Sequence, residues 1–351
     1  MRRVTISIHL KRFFIVILMG VIFIVALSFI MVGVGQGEGA FSKSIIPKFL
    51  MRSNNIVFNK TSGEPVIKVY ITKENKVEKM LLEDYVIGVV AAEMPAEFSL
   101  EALKAQAVAA RTFGLAHMED YGGRSYKSNT GANVCDTVQC QVFMNKEERL
   151  SSWPKSKRDE YWSKITDAVK QTSGEILTID GELVMEPYYF AISSGKTEDG
   201  MDAFSQDIPY LKSVSSPGEE VAPKFKSTVK LSYKEFINKI DSQYSSSGLT
   251  LATVKNQVTI VNRTEGGAVK TIKVGKVTMS GSKFRSIMGL NSANFSIKFN
   301  VNTVEINCVG YGHGVGMSQW GANAMGKQGK GYQDILKHYY SGIDIKKINT
   351  Q

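Results

Sequence analysis

The chain has 351 residues, 43% hydrophobic and 22% charged, which is enough apolar mass for one large domain or two smaller ones and excludes disorder as its class. Its net charge of +10 calls either for an anionic partner or for lysines spread over a solvated surface. Three cysteines are too few for a disulfide scaffold at this length, so the small stapled folds are excluded.

In chain order, the first element is an uncharged stretch from Phe13 to Gly35, long enough to cross a bilayer as a helix. Arg2, Arg3, Lys11 and Arg12 precede it and the next cation is Lys43. That asymmetry predicts a cytoplasmic tail over 1–12, a transmembrane helix over 13–35, a linker over 36–60 and an extracytoplasmic domain over 61–345. A cleaved signal peptide is the alternative; its apolar core would be shorter and followed by a small-residue cleavage site. An anchor turns the search for an anionic partner away from nucleic acid and towards cell wall or lipid head groups.

"VIKVYIT" and "KVEKML" read as two strands joined by the polar turn "KEN", with a helix beginning near Glu83. Pro95 breaks the chain, and Ser99 caps a second, alanine-rich helix on which Lys104 and Arg111 share a face. Those two cations fit either sugar hydroxyls or a carboxylate, or a solvated, salt-bridged face. A glycine, serine and asparagine loop over 122–131 delivers "NVCDTVQCQVF". A helix over 155–172 precedes "EILTIDGELV", which reads as a hairpin turning at its Asp-Gly pair. Residues 225–300 alternate as strands around a helix "SYKEFINKI" and read as a strand-rich subdomain. The expected fold class is therefore α+β, a transmembrane helix followed by a mixed helix and strand domain. Gly310, Gly312, Gly314 and Gly316 then permit tight turns and close approach of a ligand to the backbone. A short helix over 333–340 stops at Gly342.

Glu93 carries the sharpest chemical signal. It follows "VIGVVAA", and a carboxyl held in apolar surroundings stays protonated towards neutral pH, as a general acid must. A glutamate at the end of a buried segment also turns to solvent or caps a helix. No Gly-x-Ser-x-Gly elbow is present, which removes one serine-hydrolase reading. Of four histidines, His9 precedes the anchor, leaving His117, His313 and His338. Cys135 and Cys140 could share a soft metal such as zinc with His117 as third ligand, close a small disulfide loop, or remain free thiols. Cys308 reads as a buried, unreactive thiol.

"VIGVVAAEMPAEFSLEALKAQAVAARTFGL" and "GYGHGVGMSQWGANAMGKQGKGYQDILKHYYSGIDI" resemble the two signature blocks of the stage II sporulation protein D family. Between them, "SSGKTED" resembles the family's hydroxyl-rich loop and "IPYLKSV" the segment after it, and "VTMSGSKFRSIMGLNSANFSI" its SG-x-x-x-R and GL-x-S-x-x-F elements. The resemblance covers about residues 65 to 345. It implies a lytic transglycosylase of sporulating bacteria that cuts peptidoglycan strands already stripped of stem peptides during forespore engulfment, leaving 1,6-anhydromuramic ends. Glu93 takes the acid/base position; Lys104, Arg111, Thr197, Tyr210 and Lys212 match polar positions assigned to substrate binding. His313, Ser318 and Gln319 fall in the glycine block, where the role is cleft-shaping or structural. The implied partners are the amidase stage II sporulation protein P and a membrane scaffold protein, and the implied location is the mother-cell membrane facing the forespore. No cofactor is required. Some clostridial relatives hold zinc through a histidine and two cysteines resembling Cys135 and Cys140, but near Asn129 this chain lacks the histidine. It also has Ala191 and Ile192 where relatives carry Ser and Thr. The rival readings are a noncatalytic glycan-binding module that recruits an amidase and a zinc-dependent wall hydrolase using Cys135, Cys140 and His117.

Overall fold

The structure, a computed structural model, describes residues 59–350 apart from 62, 128, 245 and 246. The expected membrane span, and the expected linker as far as residue 58, lie outside the described residues; the linker's last two positions belong to a short strand, Asn59–Thr61, and among the described residues no helix is long and apolar enough to cross a bilayer. What is described is a mixed helix and strand fold around two hydrophobic cores.

The larger core is built on two helices. Strand Val66–Ile71 pairs antiparallel with Lys76–Leu81, turning through Asn75 at φ 53°, and Val134–Cys135 adds to its other edge in parallel. The hairpin runs directly into helix α1, Leu82–Glu93, whose apolar run buries Val86, Val89, Val90 and Ala91. Met94 leaves α1 with extended backbone, as expected before a proline, which disfavours helix at the residue preceding it. Helix α2, Leu100–Ala116, starts where the Ser99 hydroxyl accepts the Ala102 N–H. Alanines over much of its surface let neighbours approach from all sides, so α2 is buried along nearly its whole length, packed by α1, by helix α3 (Arg158–Gln171) and by strand Glu175–Ile179. The helix expected over 155–172 is thus present. A separate short helix, Lys146–Ser152, precedes it, with Trp153 and Pro154 interrupting what could otherwise have been one element. The expected hairpin also forms, Thr178 opposite Leu183, through Asp180 and Gly181 with positive φ.

The smaller core is strand-rich. A sheet ordered Phe295–Phe299, Thr303–Val309, Lys226–Ser232 and a second three-stranded sheet over 258–280 enclose Phe236, Ile272, Phe284 and Phe295. This core extends past the expected bound at residue 300, because its central strand, Thr303–Val309, pairs with both edge strands. Helix α4, Gly281–Met288, sits on this core, ending at Gly289 in the left-handed region.

Candidate active site

Glu93 is the last residue of α1, at the negative end of the helix dipole, a position that already disfavours a carboxylate. Burial pushes its pKa up, opposed by hydrogen bonds from the Val142 N–H and the Gln319 side chain. The Val142 bond is 2.8 Å long. That donor is in place because of Gly88, one turn and a little more back along α1: a Cβ there would lie 2.3 Å from the Phe143 ring and 2.8 Å from the Met144 carbonyl. Only the absence of a side chain lets segment 142–144 lie against the helix and hand its N–H to the acid.

A cavity of about 570 Å³ opens at Glu93. Phe113, Tyr188, Phe190 and Phe204 give it aromatic walls, and Gln141, Tyr189, Gln319, His313 and Arg285 give it polar groups. Among the described residues Glu93 is the one carboxylate lining it. The Tyr189 hydroxyl donates to Gln141 Oε1 at 2.8 Å, and Gln141 Nε2 donates to the Tyr85 hydroxyl at 3.0 Å. Burial holds the Tyr189 phenol far above its usual range, with the nearby Glu93 carboxylate adding to it. Tyr189 is therefore a neutral phenol whose one proton is given to Gln141, which fixes its oxygen in the cavity wall.

The alternating glycines open the backbone chiefly to the protein itself, with Gly312 also lining the cavity. All four have positive φ, and the atoms crowding their missing side chains belong to the chain's own segment 188–198: the Tyr188 carbonyl would lie 1.9 Å from a Cβ at Gly316, and Phe190 Cβ 2.8 Å from one at Gly312. Ile192 and Tyr311 exchange both backbone hydrogen bonds. This close pairing sends Tyr311 and His313 into the cavity wall while Val315 enters the core. His313 accepts the Val315 N–H on Nδ1 at 3.2 Å, so its proton is on Nε2, donated to the Tyr189 carbonyl at 3.0 Å. Burial, with Arg285 close by, lowers its pKa to about 4. The imidazole is a neutral, oriented strut between the glycine segment and Tyr189.

Of the residues matched to the family by sequence, Glu93, His313 and Gln319 meet at this cavity; the five substrate-binding candidates do not line it. Arg111 is fully buried and gives its Nε and Nη2 to Glu83 at 2.7 Å each, with Nη1 on the Glu175 carbonyl at 3.0 Å. Lys104 pairs with Glu101 at 2.8 Å beside the Tyr332 ring. Thr197 is buried and its hydroxyl oxygen accepts the Val214 N–H, and the Tyr210 hydroxyl accepts the Glu186 N–H. Lys212 pairs with Asp207 on the surface. Each of these side chains is thus engaged by partners within the protein, which helical spacing and motif position do not reveal. Ser318 is likewise internal: its hydroxyl donates to Glu219 at 2.6 Å. Burial raises the Glu219 pKa to about 7, despite donated bonds from Ser216, Ser318 and the Ser193 N–H.

Cys135 and Cys140 lie together, sulfur to sulfur 3.1 Å, with Cys140 on the cavity rim and its thiol pushed up to about 12 by burial. His117 does not join them. Its Nδ1 engages the Phe113 carbonyl and its ring stacks on Phe113. Among the described residues no third histidine, cysteine, aspartate or glutamate completes a metal-binding group, so the residues present do not make up a tetrahedral zinc set.

The groups missed by sequence reading are Gln141, Tyr189 and Arg285. Arg285 was visible as the arginine of the SG-x-x-x-R element, and Tyr189 only as half of one of two Tyr-Tyr pairs. Gln141 gave no signal beyond its place between the second cysteine and an apolar run.

Fold and site together define a protein with a solitary sheltered acid in an aromatic-walled groove. The stage II sporulation protein family model matches residues 70–179. Stage II sporulation protein D of Bacillus amyloliquefaciens is 42% identical over 295 residues, 82% of this chain and 83% of that one, and the protein of the same name from Bacillus subtilis (strain 168) is 42% identical over 284 residues, 81% and 80%. An amidase enhancer of Bacillus subtilis (strain 168) is 30% identical over 308 residues, 74% of this chain and 40% of that one. The chain belongs to the stage II sporulation protein D family of sporulation proteins.

Proposed function

We propose that this protein is a lytic transglycosylase acting on peptide-free peptidoglycan strands. The observation that carries the reading is that, among the described residues, Glu93 is the one carboxylate lining the groove and is held towards its protonated form. Hydrolysis by the usual route needs two carboxylates flanking the bond. With one, the nucleophile is supplied by the sugar. Protonated Glu93 gives its proton to the glycosidic oxygen as the bond from that oxygen to muramic C1 breaks; the resulting carboxylate then takes the proton of the C6 hydroxyl, whose oxygen closes on C1. The products are a free 4-hydroxyl on the leaving sugar and a 1,6-anhydromuramic end, with Glu93 protonated again. The aromatic walls suit pyranose faces, and Tyr189 presents a neutral phenol oxygen, held in place by its bond to Gln141, in the same groove.

The test uses the full-length chain on peptide-free strands with mass-spectrometric readout. Anhydro-ended saccharides from the wild type and none from Glu93→Gln support the reading; reducing ends would assign the attack to water. Because the acid must be protonated, kcat/KM falls as pH rises through Glu93's raised pKa.

In the cell, the reading places the protein at the mother-cell membrane facing the forespore, working with stage II sporulation protein P and a membrane scaffold protein. A second reading, a glycan-binding module that recruits an amidase, draws support from the similarity to a protein named for enhancing one. Binding of strands without any product would favour it.

A further inference from the structure

The strand-rich lobe contributes one cation to the groove. Arg285, on α4, lines the cavity that contains Glu93. Its Nε donates to the Leu290 carbonyl at 3.2 Å, which fixes the plane of the guanidinium, while its two Nη groups have no protein acceptor among the described residues. None of the salt bridges of the described chain involves it. Partial burial lowers its pKa, which reports a cation removed from water without a counter-ion. A half-desolvated arginine with an open N–H edge is a carboxylate site in waiting, since the planar fork matches a carboxylate bidentately.

We infer that Arg285 binds the lactyl carboxylate of a muramic acid residue and thereby selects glycan whose stem peptides have been removed. This rests on the reading of the groove given above. An intact stem peptide is joined through that same carboxyl as an amide, which carries no charge and offers a single oxygen. Peptide removal converts it into an anion, the one ionic group on an otherwise neutral strand of amides and hydroxyls. The reaction that supplies the substrate must therefore be amide hydrolysis at the lactyl group, and Arg285 makes its completion a condition for productive binding.

The experiment compares peptide-free strands with the same strands after their lactyl carboxyls are converted to methylamides. Full-length wild type, Arg285→Gln and Arg285→Lys are assayed on both; glutamine keeps a donor for the Leu290 carbonyl, so the loop after α4 is retained. A charge-assisted bidentate pair predicts that wild type prefers the carboxylate strand by about 10- to 150-fold in kcat/KM. Arg285→Gln should lose that preference by slowing only on the carboxylate strand, with Arg285→Lys in between. A preference that survives in Arg285→Gln, or equal cleavage of both strands by wild type, overturns the inference while leaving the transglycosylase reading intact. If wild type cleaves neither strand, the reaction reading has failed, and binding of both strands to Glu93→Gln with and without Arg285→Gln decides the matter separately. Carboxylate preference abolished by the second change sustains Arg285; equal binding overturns it.

Discussion

The two lobes each hold an arginine withdrawn from solvent, and the two do opposite things. Arg111, in the helical lobe, has its charge and donors consumed by Glu83 and backbone carbonyls. Arg285, from the strand-rich lobe, has one backbone acceptor and faces the groove. A buried cation with every donor matched holds the fold together. One left partly unmatched at a cavity is available to a ligand. The sequence draws attention to the first, through helical spacing with Lys104; the structure moves the interest to the second.

The largest expected effect breaks the first half of that comparison. Arg111→Met leaves Glu83 partly buried with its ion-pair partner gone and should cost about 3–5 kcal/mol, read as a fall in the denaturant midpoint. Arg285→Gln should shift that midpoint little. Next in size, Glu93→Gln should reduce anhydro-product formation by at least about 10²-fold while leaving Tm nearly unchanged, because the groove wall and not the core loses a group. A Tm collapse in that variant would make Glu93 structural. Gly88→Ala should cost about 2 kcal/mol by forcing Phe143 and Met144 away from α1. It should also slow turnover, because the Val142 donor moves with them. Full activity in that variant would dissociate segment 142–144 from the acid.

The smallest effect concerns pH. Burial lowers the folded-state pKa of His313 to about 4, from the 6.5 of a free imidazole. Its contribution is therefore complete above pH 6.5 and is lost as pH falls towards 4, where the unfolded chain binds a proton that the folded chain refuses. The loss should reach about 1 kcal/mol after allowance for solvent at the cavity. Melting curves of wild type and His313→Gln should converge over that window; parallel curves would show that His313 titrates at the same pH in the folded and unfolded chains.

Much of the local structure was legible in the sequence. The hairpin before α1, the break at Pro95, the Ser99 cap and the Asp-Gly turn each depend on residues within a few positions of one another, and all occur. Glu93 was legible because an apolar run beside a carboxylate is itself a local signal. Its shelter was not fully contained there: the Val142 donor comes from 49 residues away and Gln319 from the far end of the chain.

The glycine block marks where local reading stopped. Four alternating glycines establish that something approaches the backbone closely, and only the fold decides that segment 188–198 does so. The same holds for Arg111 and Arg285. Composition and periodicity determined which residues form helices, which strands, and where an acid would be unusual, because those properties are set by neighbours in sequence. Which cation finds an anion within the protein, and which is left facing a groove, was decided by tertiary packing, because electrostatic pairing depends on distances that the chain order does not contain.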